Sequence, residues 1–183
     1  MKKIFLTFIC LMLVFQSGLK AQDTCNCKNL VSINIPTLLM SNLSITYERH
    51  LKTNSLLFDA GITLNETSSE SAIGGNFEFQ YRLYPIFNPG NGLQGIFLAP
   101  YISYRYLERT SSYNPGRGFN IYNVFGIGAA FGLKVAFATR IVLTIHVGGG
   151  LRYSSNNRNS SSYTSPGYTG FSPKAGITMG YFF

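Results

Sequence analysis

The chain has no tryptophan, two histidines and three cysteines, and only 12% of its residues are charged. Past its first 21 residues no apolar run approaches the ~20 residues a membrane helix needs. No stretch there keeps a helical period either, so a helical bundle, soluble or membrane-spanning, is excluded. The basic residues are dispersed beyond the N-terminus and form no nucleic-acid motif, so a net charge of +8 does not point to DNA or RNA. No set of His, Cys and carboxylate residues has metal-ligand spacing. Gly148-Gly149-Gly150 sits inside a strand pattern with neither a helix nor a Lys after it, which removes a phosphate-binding loop. No metal, cofactor or nucleic-acid partner is expected.

What is present begins with an export leader. Met1-Lys2-Lys3 is followed by an apolar run from Ile4 to Phe15 and by small residues up to Ala21. Charged, apolar, then small is the order of a secretory signal peptide. Cleavage is expected after Ala21, and loss of Lys2, Lys3 and Lys20 lowers the net charge from +8 to +5. Cys25 lies close to the cut, but Gln22-Asp23-Thr24 before it is too polar for a lipid-attachment site. Cys25-Asn26-Cys27 could close a small strained ring, bind a metal or pair with another chain; a plain periplasmic N-terminal segment over 22–28 is the simplest reading. Residues 29–183 then form one domain.

That domain is rich in Tyr, Phe and Gly, which suits strands. Alternation with a period of two marks strands at 29–38, 42–51, 55–65, 73–84, 95–107, 119–133, 139–153 and 171–183. In the fourth, Phe77, Phe79, Tyr81 and Leu83 oppose Asn76, Glu78, Gln80 and Arg82. In the second, Leu43, Ile45 and Tyr47 oppose Ser44, Thr46, Glu48 and His50; in the seventh, Ile141, Leu143, Ile145 and Val147 oppose Arg140, Thr144, His146 and Arg152. The expected fold is all-β: a closed antiparallel up-and-down transmembrane barrel of about eight strands.

Which face lies inside decides between a soluble barrel and a membrane barrel. Three features favour apolar side chains outside, toward lipid. Tyr81, Tyr84, Tyr101, Tyr104, Tyr106, Tyr153 and Tyr181 cluster at strand ends, where amphipathic rings suit a water–lipid boundary. Gly126, Gly128 and Gly132 leave space for long side chains within a narrow barrel. The chain ends with alternating Ile177, Met179, Tyr181 and Phe183, a pattern like the C-terminal insertion signal read by the barrel-assembly machinery. Both termini then face the periplasm of a bacterial outer membrane. Segments 66–72, 108–118 and 154–170 become outer loops, with 52–54 and 134–138 as short inner turns. Lipopolysaccharide and other outer-membrane lipids are the expected partners, met by Arg109, Arg117 and Arg158, and a monomer is expected.

Several short motifs carry a resemblance. Tyr47-Glu48-Arg49, Tyr81-Arg82-Leu83-Tyr84, Phe97-Leu98-Ala99-Pro100-Tyr101 with Tyr104-Arg105-Tyr106, and Gly180-Tyr181-Phe182-Phe183 occur in order over most of the mature chain. They resemble a family of small bacterial outer-membrane barrels known as a domain of unknown function. The resemblance implies an eight-stranded barrel similar to the outer-membrane protein A and X type, and it implies no activity.

The predicted inward charges are Glu48, Asp59 and Glu78 with Arg82, Arg105, Arg140, Arg152 and Lys174, joined by His146. They read either as a salt-bridged filling or as a pore lining or catalytic group; pairing of buried charges favours the filling. His146 also raises lipid A deacylation, in which a serine follows the histidine by two on a lipid-facing strand. Here that place is Gly148, so no catalytic residue is assigned. The expected function is a non-enzymatic membrane barrel acting structurally or through its outer loops. A narrow porin-like channel and a lipid A-modifying enzyme are the alternatives.

Overall fold

Period-two alternation becomes eight long strands in the computed structural model, which describes residues 28–39, 42–67, 70–85, 94–111, 120–136, 140–155 and 168–183. The leader, Cys25, Cys27, Arg117 and Arg158 lie outside the described residues. The strands are β1 (Asn29–Asn34), β2 (Asn42–His50), β3 (Asn54–Thr67), β4 (Glu70–Leu83), β5 (Gly95–Ser111), β6 (Asn120–Ala136), β7 (Ile141–Ser154) and β8 (Gly170–Phe182). Each pairs antiparallel with the next, and β8 returns to β1, giving a closed up-and-down barrel.

The register fixes its girth. Stepping from Leu30 through successive partners Glu48, Leu57, Gln80, Tyr101, Gly128 and Gly150 leads to Ser172 on β8. Leu30 itself pairs with Phe182, ten residues further on. Eight strands with a stagger of ten tilt by about 40° and leave an interior only wide enough for side chains. The β4–β5 ladder runs from Gln80↔Tyr101 to Leu83↔Leu98 with no pair between, at Pro100, which has no amide hydrogen to give.

Two expectations about the elements need correction. Residues 35–38 do not continue the first strand: Ile35–Leu39 is a short helix, α1, with Pro36 in its first turn, a position that tolerates proline. The hydroxyl of Thr37 donates to the Asn34 carbonyl at 2.9 Å. The loops foreseen at 66–72 and 108–118 are also shorter, since β3 and β4 remain paired out to Thr67↔Glu70, and β5 reaches Ser111.

The polar faces point inward. Along β2 the residues Asn42, Ser44, Thr46, Glu48 and His50 are buried, while Leu43 and Ile45 are exposed. Phe77 is 62% exposed, whereas Glu48 is fully buried. In one interior row, large and small residues alternate around the wall. Phe97 pairs with Gly132, which pairs with His146, which pairs with Gly176. A Cβ at Gly132 would meet the Phe97 ring and the Ile145 carbonyl. Gly75, on the outer face, has only ordinary contact, 3.7 Å from the Gly61 carbonyl oxygen.

Gly132→Ala should therefore lower stability by about 2 kcal/mol, as overpacking does, while Gly75→Ala should change it by less than about 0.5 kcal/mol. Urea unfolding followed by circular dichroism measures both. Equal midpoints for the two variants would contradict this account of the row.

Candidate functional site

Alternate residues of β4 share one face, so Glu78, Gln80 and Arg82 form a polar ladder inside the barrel. The ladder is continuous. Lys174 Nζ donates to Glu78 Oε1, Gln80 Nε2 donates to the same oxygen at 2.5 Å, and Arg82 Nε donates to Gln80 Oε1 at 3.1 Å. Arg82 then reaches Glu48 Oε2 at 2.9 Å.

Glu48 is the centre of the closed end. Its Oε1 accepts from Ser55 Oγ at 2.5 Å, from Lys134 Nζ at 2.5 Å and from Tyr84 OH at 3.1 Å. Two cations and two hydroxyls thus hold one carboxylate, arriving from β3, β4, β6 and the residue after β4. Arg82 lies 4.4 Å from the Phe97 ring centroid, and Lys134 5.4 Å from that of Tyr84. Beneath them Leu30, Val142 and Phe182 pack together, with the Phe182 ring edge-on to His50 at 5.3 Å. The end of the barrel that carries both β1's start and β8's finish is plugged.

Toward the other end lies a polar cavity of about 560 Å³, the vestibule. Asp59 accepts from Ser44 and from Asn76 Nδ2, the latter at 3.1 Å. Arg105, Arg152, His146 and Lys174 also line it, and Lys174 stands 4.3 Å from the Tyr101 ring. Arg105 is on the inward face yet solvent-accessible there. His146 is buried, with Nδ1 lacking a hydrogen-bond partner. Ala72, Leu107, Tyr122 and Val124 narrow the mouth beyond.

Eight of the nine predicted interior residues, Glu48, Asp59, Glu78, Arg82, Arg105, His146, Arg152 and Lys174, thus face the barrel's inside. Arg140 does not. It stands just ahead of β7, exposed at the rim, and its NH1 donates to Tyr181 OH at 2.9 Å on the outer face. A long side chain at a strand's first position can turn out to water, and the plug leaves it no space within. Tyr84 and Tyr101, read as boundary residues, are buried inside instead, because each shares its strand's inward parity. Ile177, Met179, Tyr181 and Phe183 face outward as read. Phe182 faces inward with the even-numbered residues of β8 and packs on Leu30 and Val142 beneath the charged cluster. Arg109, expected in an outer loop, lies on β5.

Lys134 was missed. β6 runs three residues beyond the expected end at 133, to Ala136, into the segment expected as the 134–138 turn, and Lys134 shares the face of Gly128 and Gly132, so parity identifies it as inward. Among the described residues, no three His, Cys, Asp or Glu side chains are grouped to hold a metal ion.

Glu48→Gln should leave two buried cations uncompensated and cost roughly 3–5 kcal/mol in urea unfolding. Adding Lys134→Met should recover part of that loss. A double variant no more stable than the single one would show that the pair is not coupled.

Compared with protein-family models and with curated proteins, the chain matches none.

Proposed function

We propose that the chain is a bacterial outer-membrane β-barrel, of the outer-membrane protein A and X type, that spans the bilayer as a plugged, non-enzymatic body. Its termini face the periplasm and its vestibule faces outward. The observation that carries this reading is the inversion of the barrel. Phe77, Ile127 and Leu151 are each more than 60% exposed on the outside, while Glu48, Arg82 and Lys134 are buried within. In water such a surface would favour association; in lipid it is the stable arrangement.

The dimensions support it. Ten residue steps separate Phe171 from Tyr181 on the outer face of β8, and at the barrel's tilt they make an apolar band of about 25 Å. Phe77, Tyr104, Phe125 and Tyr153 are direct partners across four strands, an aromatic row on the outer wall toward the open end. The outer tyrosine hydroxyls find polar partners: Tyr47 on Asn29, Tyr81 from Asn54 and Tyr104 on Asn123. Amphipathic rings with satisfied hydroxyls suit the lipid–water interface. No described helix is long and apolar enough to cross a membrane, so the strands would do so.

Among the alternatives, the plug disfavours a channel, since the closed end is filled by Phe97, Lys134, Leu30 and Glu48 with almost no exposure. A lipid-facing acyl-transfer site draws no support from His146, which points inward. The leader and the outward Ile177, Met179, Tyr181 and Phe183 fit delivery by export and insertion by the barrel-assembly machinery. The lipid partners would include lipopolysaccharide, and a monomer is sufficient to close the barrel.

Fractionation should put the chain in the outer membrane, with gel mobility that changes on boiling. Planar bilayers containing the folded protein should stay silent; steady conductance steps would overturn the plugged reading, and a soluble periplasmic band would overturn the membrane one. Phe183→Ala should reduce the amount assembled several-fold while leaving the unfolding midpoint of the assembled protein within about 0.5 kcal/mol. Unchanged assembly would remove the C-terminal residues from the insertion signal.

A further inference from the structure

Charge on the outside of the barrel is one-sided. At the plugged end Lys28, Arg49, Lys52 and Arg140 are all exposed. The one acidic side chain at that level among the described residues is Glu48, and it is buried in the plug. Segments 86–93 and 137–139, which join strands at this end, contain no charged residue. Among the described residues the terminal carboxylate of Phe183 is the one anion beside the four cations, so the rim keeps an excess of three positive charges. Asp23, ahead of Lys28, lies outside the described residues. The open end of the same strands carries Glu66, Glu70 and Glu108 with Arg109.

The cations are gathered on one arc of the wall. Around that end the strands run β7, β8, β1, β2, β3. Arg140 stands ahead of β7, where its carbonyl accepts from the Phe182 amide at 2.8 Å. Lys28 precedes β1, and its carbonyl accepts from the His50 amide at 2.7 Å. Arg49 is paired with Asn29, and Lys52 lies in the turn to β3. Three strand spacings, about 14 Å, separate β7 from β2. On the opposite arc, β4 to β6, the cations at this end among the described residues are Arg82 and Lys134, both buried inside. None of the four rim cations forms an ion pair among the described residues; Arg140 gives one N–H to Tyr181 OH and has others to give.

Their setting is the edge of the lipid wall. Val31, on the outer face of β1, has Tyr47 as its partner on one side and Tyr181 on the other. Tyr47 donates to Asn29, the next outward residue toward the rim, and Tyr181 accepts from Arg140. One row further from the rim, Ile33, Ile45 and Met179 are exposed and apolar. Apolar row, tyrosine row, cationic rim: this is the order in which a phospholipid presents its chains, its glycerol level and its phosphate. Arg49 also shares the outer face of β2 with Leu43, Ile45 and Tyr47, so its charge lies on the wall that lipid covers. A soluble anionic polymer would meet the end of the barrel instead.

We propose that this arc is a docking surface for the phosphate headgroups of anionic phospholipids in the periplasmic leaflet, with their acyl chains along Ile33, Ile45 and Met179. The proposal rests on the membrane reading above and names the lipid class that the plugged rim selects.

Because the chain has no tryptophan, single reporters can be placed in it. Val31→Trp sits on the arc between Tyr47 and Tyr181, and Ile127→Trp sits on the outer face of β6, away from it. Each variant is folded into phosphatidylcholine vesicles containing either phosphatidylglycerol or phosphatidylcholine with brominated acyl chains. Ile127→Trp should be quenched equally by both lipids. At Val31→Trp the phosphatidylglycerol should bind about fivefold more tightly than the phosphatidylcholine, the effect of one cation beside an anionic headgroup. Adding Arg49→Gln, Lys52→Gln and Arg140→Gln should remove that difference, and so should salt at about 1 M, which screens exposed charges.

No quenching at Ile127→Trp would overturn the membrane reading itself. With Ile127→Trp quenched, an equal response of Val31→Trp to both lipids, or the same preference at both positions, would overturn the docking surface alone. A preference that survives the triple substitution would remove these cations from the site. If the triple variant gives no heat-modifiable band, the salt series decides, and a preference unchanged at high salt overturns the proposal. If Val31→Trp fails the same check, Ile45→Trp replaces it, with the same outcomes.

Discussion

The closed end depends on one carboxylate kept from water. Glu48 is fully buried, and the cost of desolvating it is offset only because Arg82, Lys134, Ser55 and Tyr84 all donate to it. Those donors come from separate places around the wall, so the cluster also fixes how the strands stand relative to one another. Two cations on one anion leave an excess positive charge. The stacking of Arg82 on Phe97 and of Lys134 near Tyr84 lets aromatic faces share it. An apolar filling of the same volume could be as stable, and the reason for a polar one lies in the ladder above: Gln80 and Glu78 carry the network on to Lys174 and the vestibule.

Volume is the second constraint. An eight-stranded wall with a stagger of ten leaves an interior that large side chains fill from part of the wall only, with small ones opposite. Large and small inward residues alternate along one row, Phe97, Gly132, His146, Gly176, and two layers up Tyr101 is followed by the small Gly128, Gly150 and Ser172. The glycines of β6 and β7 give the aromatic residues of β5 and the imidazole of β7 their positions. A composition rich in both glycine and aromatics is what this interior requires.

Fold and face were both readable from the sequence, because period-two alternation is a direct consequence of strand geometry and every strand here repeats it. Of the nine charged or histidine residues assigned to the interior, only Arg140 stands elsewhere. Most of the differences lie at strand ends. Residues 35–38 continue the β1 alternation in composition but coil into a helix at Pro36. Lys134 fell into a presumed turn, and Tyr84 and Tyr101 were read by residue type when parity already placed them inside. Alternation says which face a residue occupies, but not where along the barrel the plug gives way to the vestibule. That depth follows from the register between strands, which is set by contacts far apart in sequence and by the stagger of ten.

Depth also explains why the short β1 is tolerable. Unpaired backbone groups on a strand edge are costly in hydrocarbon, where no water can satisfy them. The β8 edge above Thr178 would carry that cost if the barrel were filled with apolar side chains at that level. Instead Lys174, Asp59, Glu78 and their neighbours line a polar cavity there, so the backbone at that level faces a polar interior. Pro173 removes one of the free amides altogether. The short β1 and the polar cavity thus belong to one level of the wall: filling that cavity with apolar groups would leave the β8 edge there without polar neighbours.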